Sequence, residues 1–298
     1  MKVAVTTPTG NIGSKLADLL LTGAEAQVTV LARSPQKVEH LAARGARVVA
    51  GDQLDPASVD KALEGAEALF WLTGMDYTAA DVLAHYQRFG DAAADALRRH
   101  PGLRVVHLSS VGAQLSENTG PIRGLHYAEQ KLNAAGSNVT HLRANYFMEN
   151  VLAALPTIAS ERAIYSSIPG SVSLEQVATA DIAAAAAHYL LRGTRGHHIV
   201  DVFGPERITF DDVATMVGEV IGKPVKHIKI PPDALESALI SQGLTADWAA
   251  QLVELDDAIA QGIVTARAGD VQWQGSTAFA QFAREVIKPA YGQVTAAA

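Results

Sequence analysis

The residues with the clearest chemical potential lie in one turn near the start of the chain, Thr7-Pro8-Thr9-Gly10-Asn11-Ile12-Gly13. A β-branched run, residues 2–6, precedes it, and a helical apolar stripe of Ile12, Leu16, Leu19 and Leu20 follows. Strand, glycine turn and helix in that order make a phosphate-binding unit. The free N–H groups and partial positive charge of the helix start face a pyrophosphate, and glycine lets backbone and ligand approach closely. At the end of the next strand, residues 27–32, stands Arg33, with Lys37 one turn on and no carboxylate nearby. In dinucleotide folds an acid at this tip takes the 2′-hydroxyl of NAD, whereas a base accommodates the 2′-phosphate of NADP. Arg33 and Lys37 therefore favour NADP(H) and leave NAD(H) open; the competing reading is a solvated loop charge. Thr73-Gly74 follow an all-apolar fourth strand, residues 68–72, and their small size would let backbone lie beside the nicotinamide end. After a sixth strand, residues 139–144, come Asn145, Tyr146, Phe147 and Met148, at a strand end where such folds bind substrate. An aromatic–Met cluster there also suits a core.

Positioning these residues takes a regular alternation of strand and helix. Further strands are expected at residues 46–50, 104–109 and 197–203, and helices at 81–99, 126–135 and 179–191. Asp55 before Pro56 reads as an N-cap, and Thr209 with Asp212 as a capping arrangement. The fold class this predicts is α/β: a Rossmann-type doubly wound parallel sheet with a smaller, mostly helical C-terminal cap. The dinucleotide-binding part would be residues 1–146 with 177–204 returning to it, and residues 147–176 and 205–298 would form a substrate-binding cap, with a frayed tail from Thr295.

Composition narrows the function classes. The chain has 298 residues, a net charge of −7 and no cysteine. An acidic chain is a poor phosphate neutraliser, so no nucleic-acid partner is expected. Without cysteine there are no disulfides, thiolate nucleophiles or cysteine–zinc sites, which fits a cytoplasmic location. The ten histidines show no metal-ligand spacing, so no metal is expected. The alanine-rich stretch at 183–191 is too short to span a bilayer, no signal-peptide layout is visible, and a soluble protein without a membrane partner is expected. A homo-oligomer remains open.

Taken together, these stretches resemble the NmrA-like family of atypical short-chain dehydrogenases/reductases. The matches run in family order: VTTPTGNIG (5–13), LARSPQK (31–37), GDQLDPAS (51–58), LTG (72–74), HLSSVGA (107–113), LRANYFMEN (142–150), ATADIAAAA (178–186) and STAFAQFAR (276–284). The resemblance implies a pyrophosphate site at Thr7, Thr9, Gly10, Asn11, Ile12 and Gly13, and Arg33 at the ribose. It implies Asp52 and Gln53 beside the adenine, and Leu72, Thr73 and Gly74 near the nicotinamide ribose. The family's first glycine is Thr7 here, followed by Pro8, which is expected to reshape the loop and reduce cofactor affinity.

Short-chain dehydrogenases use a Tyr-x-x-x-Lys pair on one helix face, in which lysine lowers the tyrosine pKa for proton exchange with a carbonyl. Tyr127 and Lys131 have that spacing, and Ser109 or Ser110 could complete the set. A second register competes. Glu129, Leu132, Gly136 and Arg143 fit the pattern of atypical members without a gap, which places the family's active lysine or histidine at Leu125 and its tyrosine at Pro121. This register favours Tyr127 and Lys131 as a coincidence of helical spacing, and leaves His126, one position away, as a candidate. The expected function is NAD(P)H-dependent reduction of an aromatic or quinone-like small molecule, in which hydride geometry can supply much of the rate. The rival is a non-catalytic NAD(P)-sensing regulator.

Overall fold

The computed structural model describes residues 1–23 and 25–297. Its centre is an eight-stranded sheet in which every pairing is parallel. The first half of the chain supplies β1 (Lys2–Thr6), β2 (Gln27–Ala32), β3 (Arg47–Ala50), β4 (Ala68–Trp71) and β5 (Arg104–Ser110). Then follow β6 (Asn138–Ala144), two short strands outside the sheet, β7 (Ala163–Ser166) and β8 (Ser173–Leu174), and β9 (Gly196–Phe203). The last strands are β10 (Ile208–Thr209), β11 (Lys226–Lys229) and β12 (Val271–Gln274). The spatial order β12-β9-β6-β5-β4-β1-β2-β3 reverses direction between β1 and β4. Outside the carboxyl ends of these two strands an open α/β sheet has its ligand crevice.

Helices cover both faces. On one, α1 (Asn11–Thr22) packs with the alanine-rich α7 (Thr179–Arg192), burying Leu16, Leu20, Ala183, Ala186 and Leu190 against β1, β2 and β4. On the other lie α3 (Pro56–Leu63), α4 (Val82–Arg99) and α5 (Ile122–Ala135), with Val59, Leu63, Ala93, Leu97 and Leu132 in the core; the small α2 (Glu39–Ala43) sits before β3. Coverage on both sides explains the all-apolar sequence of β4. Asp55 caps α3 by accepting from Ala57 and Ser58 N–H, and Thr209 and Asp212 close a reciprocal capping box on α8 (Phe210–Ile221).

The remaining helices are α6 (Leu155–Glu161), α9 (Pro232–Ser241), α10 (Ala246–Ala260), α11 (Phe279–Phe282) and α12 (Lys288–Ala297). Around a second core of Met148, Ile158, Val217, Phe279 and Ile287, α6, α8, α11 and α12 pack together. Three expectations need correction. Helix α5 starts at Ile122 rather than near residue 126, because Pro121, at its N-cap, already holds helical dihedrals of −66° and −15°. Residues 271–274, expected in the cap, instead form β12 and extend the sheet beside β9, which sets Trp273 against His188 and Tyr189. The tail is helical through Ala297, with Thr295 Oγ1 donating to the Tyr291 carbonyl; Ala298 lies outside the described residues. Among the described residues no helix is long and apolar enough to cross a membrane.

Candidate active site

A cleft of about 1270 Å³ opens over the carboxyl ends of β1, β2, β4, β5 and β6 and is roofed by α9 and α10. The β1–α1 loop forms one end. Thr7, Pro8, Thr9, Gly10, Asn11 and Ile12 line it, and α1 begins after Gly10, its N-cap, with no side-chain cap and no acid in its first turn. Its first N–H groups and the positive end of its dipole are thus free for an anion. The Thr7-Pro8 loop closes as a tight turn through Thr7 itself. Thr7 adopts φ of +55°, the left-handed conformation that glycine takes freely, and its carbonyl accepts from Gly10 N–H at 3.0 Å. The Thr7 hydroxyl donates to the Thr6 carbonyl at 2.7 Å. Gly13 is buried rather than cleft-lining. A Cβ there would lie 2.2 Å from the Thr7 carbonyl oxygen, so this glycine lets α1 close against the loop.

Arg33 and Lys37 line the cleft beyond β2, and no described carboxylate forms an ion pair with either. Asp52 is turned locally, accepting from Leu54 N–H at 2.8 Å, while Gln53 donates to the Leu72 carbonyl at 3.0 Å and so joins the β3 and β4 ends. Next in line, Thr73 has a buried hydroxyl that meets no partner among the described residues, and Gly74 packs on Phe89. His85 Nε2 holds the Gly74 carbonyl at 2.6 Å. The orphaned Thr73 hydroxyl, the free N–H groups at the start of α1 and the two unpaired cations Arg33 and Lys37, gathered in one cleft, fit a phosphorylated dinucleotide.

The catalytic candidates divide. Ser110 lines the cleft, with its hydroxyl donating to the Val111 carbonyl at 3.0 Å. His126, Tyr127 and Lys131 are not among the residues lining the cleft. His126 Nδ1 bonds the Ala113 carbonyl at 2.9 Å. Tyr127 donates to Asp91 at 2.9 Å, and Lys131 pairs with the same oxygen at 3.2 Å while lying over the Tyr127 ring. That pair is satisfied on the outer side of α4 and α5. Pro121 and Leu125, by contrast, are cleft wall. Asn145, Tyr146 and Phe147 line the cleft as expected, whereas Met148 is fully buried in the second core and is not exposed to a ligand there.

Sequence reasoning missed several wall residues: His85, Tyr86 and Phe89 from α4, and Asp256 from α10, where Trp248 also lines the cleft. For α4 the signal was present in the helical spacing of 85, 86 and 89 once Asp81 is taken as its cap. The α10 residues reach the cleft through long-range bonds: Trp248 Nε1 donates to the Asp76 carbonyl at 2.6 Å, and Val82 N–H to Asp247 at 2.7 Å. Under the cleft floor Glu129 is buried, accepts from the Ser109 hydroxyl at 2.6 Å and pairs with Arg143 at 2.7 Å. No described group of histidines and acids is arranged to hold a metal ion.

The NmrA-like family profile matches residues 1–273. A (4-alkanoyl-5-oxo-2,5-dihydrofuran-3-yl)methyl phosphate reductase of Streptomyces griseus is 32% identical over 247 residues, covering 80% of this chain and 81% of the relative. Quinone oxidoreductase 2 of Escherichia coli is 27% identical over 265 residues, covering 87% and 88%. Its crystal structure with NADPH superposes with a TM-score of 0.73 at 23% identity, over 96% of this chain and 99% of that one. The triphenylmethane reductase of Citrobacter sp. superposes with a TM-score of 0.74 at 23% identity, over 98% and 99%. On the match to nearly its whole length, this chain belongs to the NmrA-like family.

Proposed function

We propose that the protein is an NADPH-dependent reductase that passes hydride to an electrophilic aromatic or quinone-like small molecule. The observation that carries this reading is the continuity of one cleft from the free N-terminus of α1, past Arg33, Lys37 and the orphaned Thr73 hydroxyl, to an aromatic and apolar chamber at Tyr146 and Phe147. Relatives named as NADPH-dependent quinone and triphenylmethane dye reductases support it. Residues 9–12 would take the pyrophosphate and Arg33 with Lys37 the 2′-phosphate. Gln53 would flank the adenine, and Thr73 with Gly74 the nicotinamide ribose. Bound NADPH would supply the hydride. The chain's own work is to hold donor and acceptor face to face and to exclude water, which is where proximity gains its rate. We assign residues 1–146 and 177–204 to cofactor binding, and 147–176 with the helices after 205 to the substrate side.

Leu125 and Pro121, apolar where the resemblance implies the family's lysine or histidine and its tyrosine respectively, favour a second reading in which the dinucleotide is sensed without turnover. Titration with NADPH, followed by loss of reduced-nicotinamide absorbance against quinones and dyes, separates the two. Turnover with any acceptor supports the reductase. Tight binding without turnover moves the protein to the sensing class, and failure to bind removes both readings.

A further inference from the structure

On the roof of the cleft one acid stands in an otherwise apolar wall. Asp256, on α10, lines the cleft beside Leu235, Leu239, Leu252, Leu255 and Ile259. Its Oδ2 is fixed by Ser167, whose N–H and hydroxyl donate at 3.3 and 2.9 Å. No hydrogen bond from a described residue reaches Oδ1, and no described cation pairs with either oxygen. The basic side chains of the cleft, Arg33, Lys37 and Arg88, stand elsewhere, at the β2 tip and on α4. Burial raises the Asp256 carboxyl above the ordinary carboxylate range, with the Ser167 hydrogen bonds opposing it. An acid desolvated without a counter-charge gains most from a ligand that brings one.

A second observation points the same way. Pro121 and Leu125 leave the cleft wall without a proton donor at those positions. A neutral quinone that accepts hydride must also accept a proton. A carbocation or iminium ion needs none: hydride leaves the dihydronicotinamide C4 with its electron pair, a C–H bond forms at the cationic carbon, and the cofactor becomes the oxidised pyridinium. The product is uncharged at that carbon.

We propose that Asp256 is a cation anchor, and that the cleft selects aromatic electrophiles carrying a delocalised positive charge, of the triarylmethyl or iminium type, with Oδ1 as the counter-charge. The proposal rests on the reductase reading above and narrows its substrate class. Because the positive charge disappears as hydride arrives, Asp256 holds the substrate more strongly than the transition state. It therefore acts on KM and leaves kcat unaided.

The test is equilibrium binding of crystal violet and of its uncharged leuco form to the purified protein, with no reduced cofactor present. The cation should bind roughly 10- to 100-fold more tightly than the leuco form. The ratio should collapse toward one in Asp256→Asn and return in Asp256→Glu, with circular dichroism confirming that both variants fold. A wild-type ratio near one, or a ratio that survives Asp256→Asn, overturns the anchor. NADPH consumption with a neutral quinone, read on the wild type, keeps the two claims apart. Turnover with a flat binding ratio defeats the anchor and leaves the reductase standing, whereas a charge-dependent ratio without turnover of any acceptor upholds the anchor and defeats the reductase.

Discussion

Two residues of the proposed cofactor site carry separable predictions. Arg33 lines the cleft without an ion-pair partner among the described residues, and under the proposed function it would meet a charge that NADPH has and NADH lacks. Arg33→Ala should raise the NADPH dissociation constant by about 10- to 100-fold, the size of a charge-assisted contact, and change NADH by less than about threefold. Equal losses for both cofactors in a calorimetric titration would remove Arg33 from the 2′-phosphate. Thr7 holds the left-handed conformation at φ of +55° that a β-branched side chain resists. Such a residue stores on the order of 1–3 kcal/mol, partly offset by the extra unfolded-state freedom of glycine. Thr7→Gly should therefore stabilise the fold by about 1 kcal/mol, seen as a higher urea midpoint at unchanged slope. A lower midpoint would mean that the Thr7–Thr6 hydrogen bond outweighs the strain.

The elements that shape the cleft meet where glycine lets them. A Cβ on Gly124 of α5 would fall 2.3 Å from the Tyr86 Cβ on α4, and Tyr86 in turn lines the cleft and packs toward Trp248. Gly124→Ala should cost about 1–3 kcal/mol through overpacking and, by displacing Tyr86, raise KM for the acceptor. Thermal denaturation with steady-state kinetics checks it, and a neutral substitution would show that the helices part without effort. Part of this architecture was legible from the chain. The β-branched runs of β1 and β2, Asp55 before Pro56, and Thr209 with Asp212 each state a local preference that the tertiary structure leaves in force. The start of α5 was hidden because Pro121 and Gly124 break the helical pattern that the fold nonetheless imposes. The short, polar β12 has no apolar run to announce it, and its place is set by pairing along β9. The β1–α1 loop at one end of the cleft was readable because a single stretch of sequence builds it. Asp256 was not, since residues far apart in sequence converge there only after folding.

Across the whole molecule, a polar seam beneath α5 ties folding to pH. Asn133 presents Oδ1 to His141 Nε2 at 3.0 Å, which makes that nitrogen the donor; His141 Nδ1 then accepts from His107 Nδ1 at 3.0 Å, and His107 Nε2 is left without a described partner. Burial is the main cause that pushes each imidazole down to about 3 from its ordinary 6.5. Both are neutral in the native state, whereas in the unfolded chain they take up protons as pH falls through 6.5, so the stability they contribute is full above that pH and lost below it. Asp201, fully buried beside Arg143 in the strand register, acts oppositely. Burial, then Asp270, raises it to about 6 from 3.8, so it favours the native state as pH falls through that window. Near pH 5 the two histidines outweigh the one acid by about one proton, worth about 1.4 kcal/mol per pH unit. The urea midpoint should therefore drop between about pH 7 and about pH 5, and the double variant His107→Leu/His141→Leu should flatten that limb. An unchanged limb in the double variant would place the acid sensitivity elsewhere. The central claim, that this cleft sets a reduced nicotinamide against an electrophilic carbon, is tested most directly with NADPH carrying deuterium at both C4 positions and a triarylmethyl cation as acceptor. One deuterium per molecule at the central carbon of the colourless product is the predicted result. Colourless product without deuterium, its hydrogen drawn from water, would contradict direct hydride transfer.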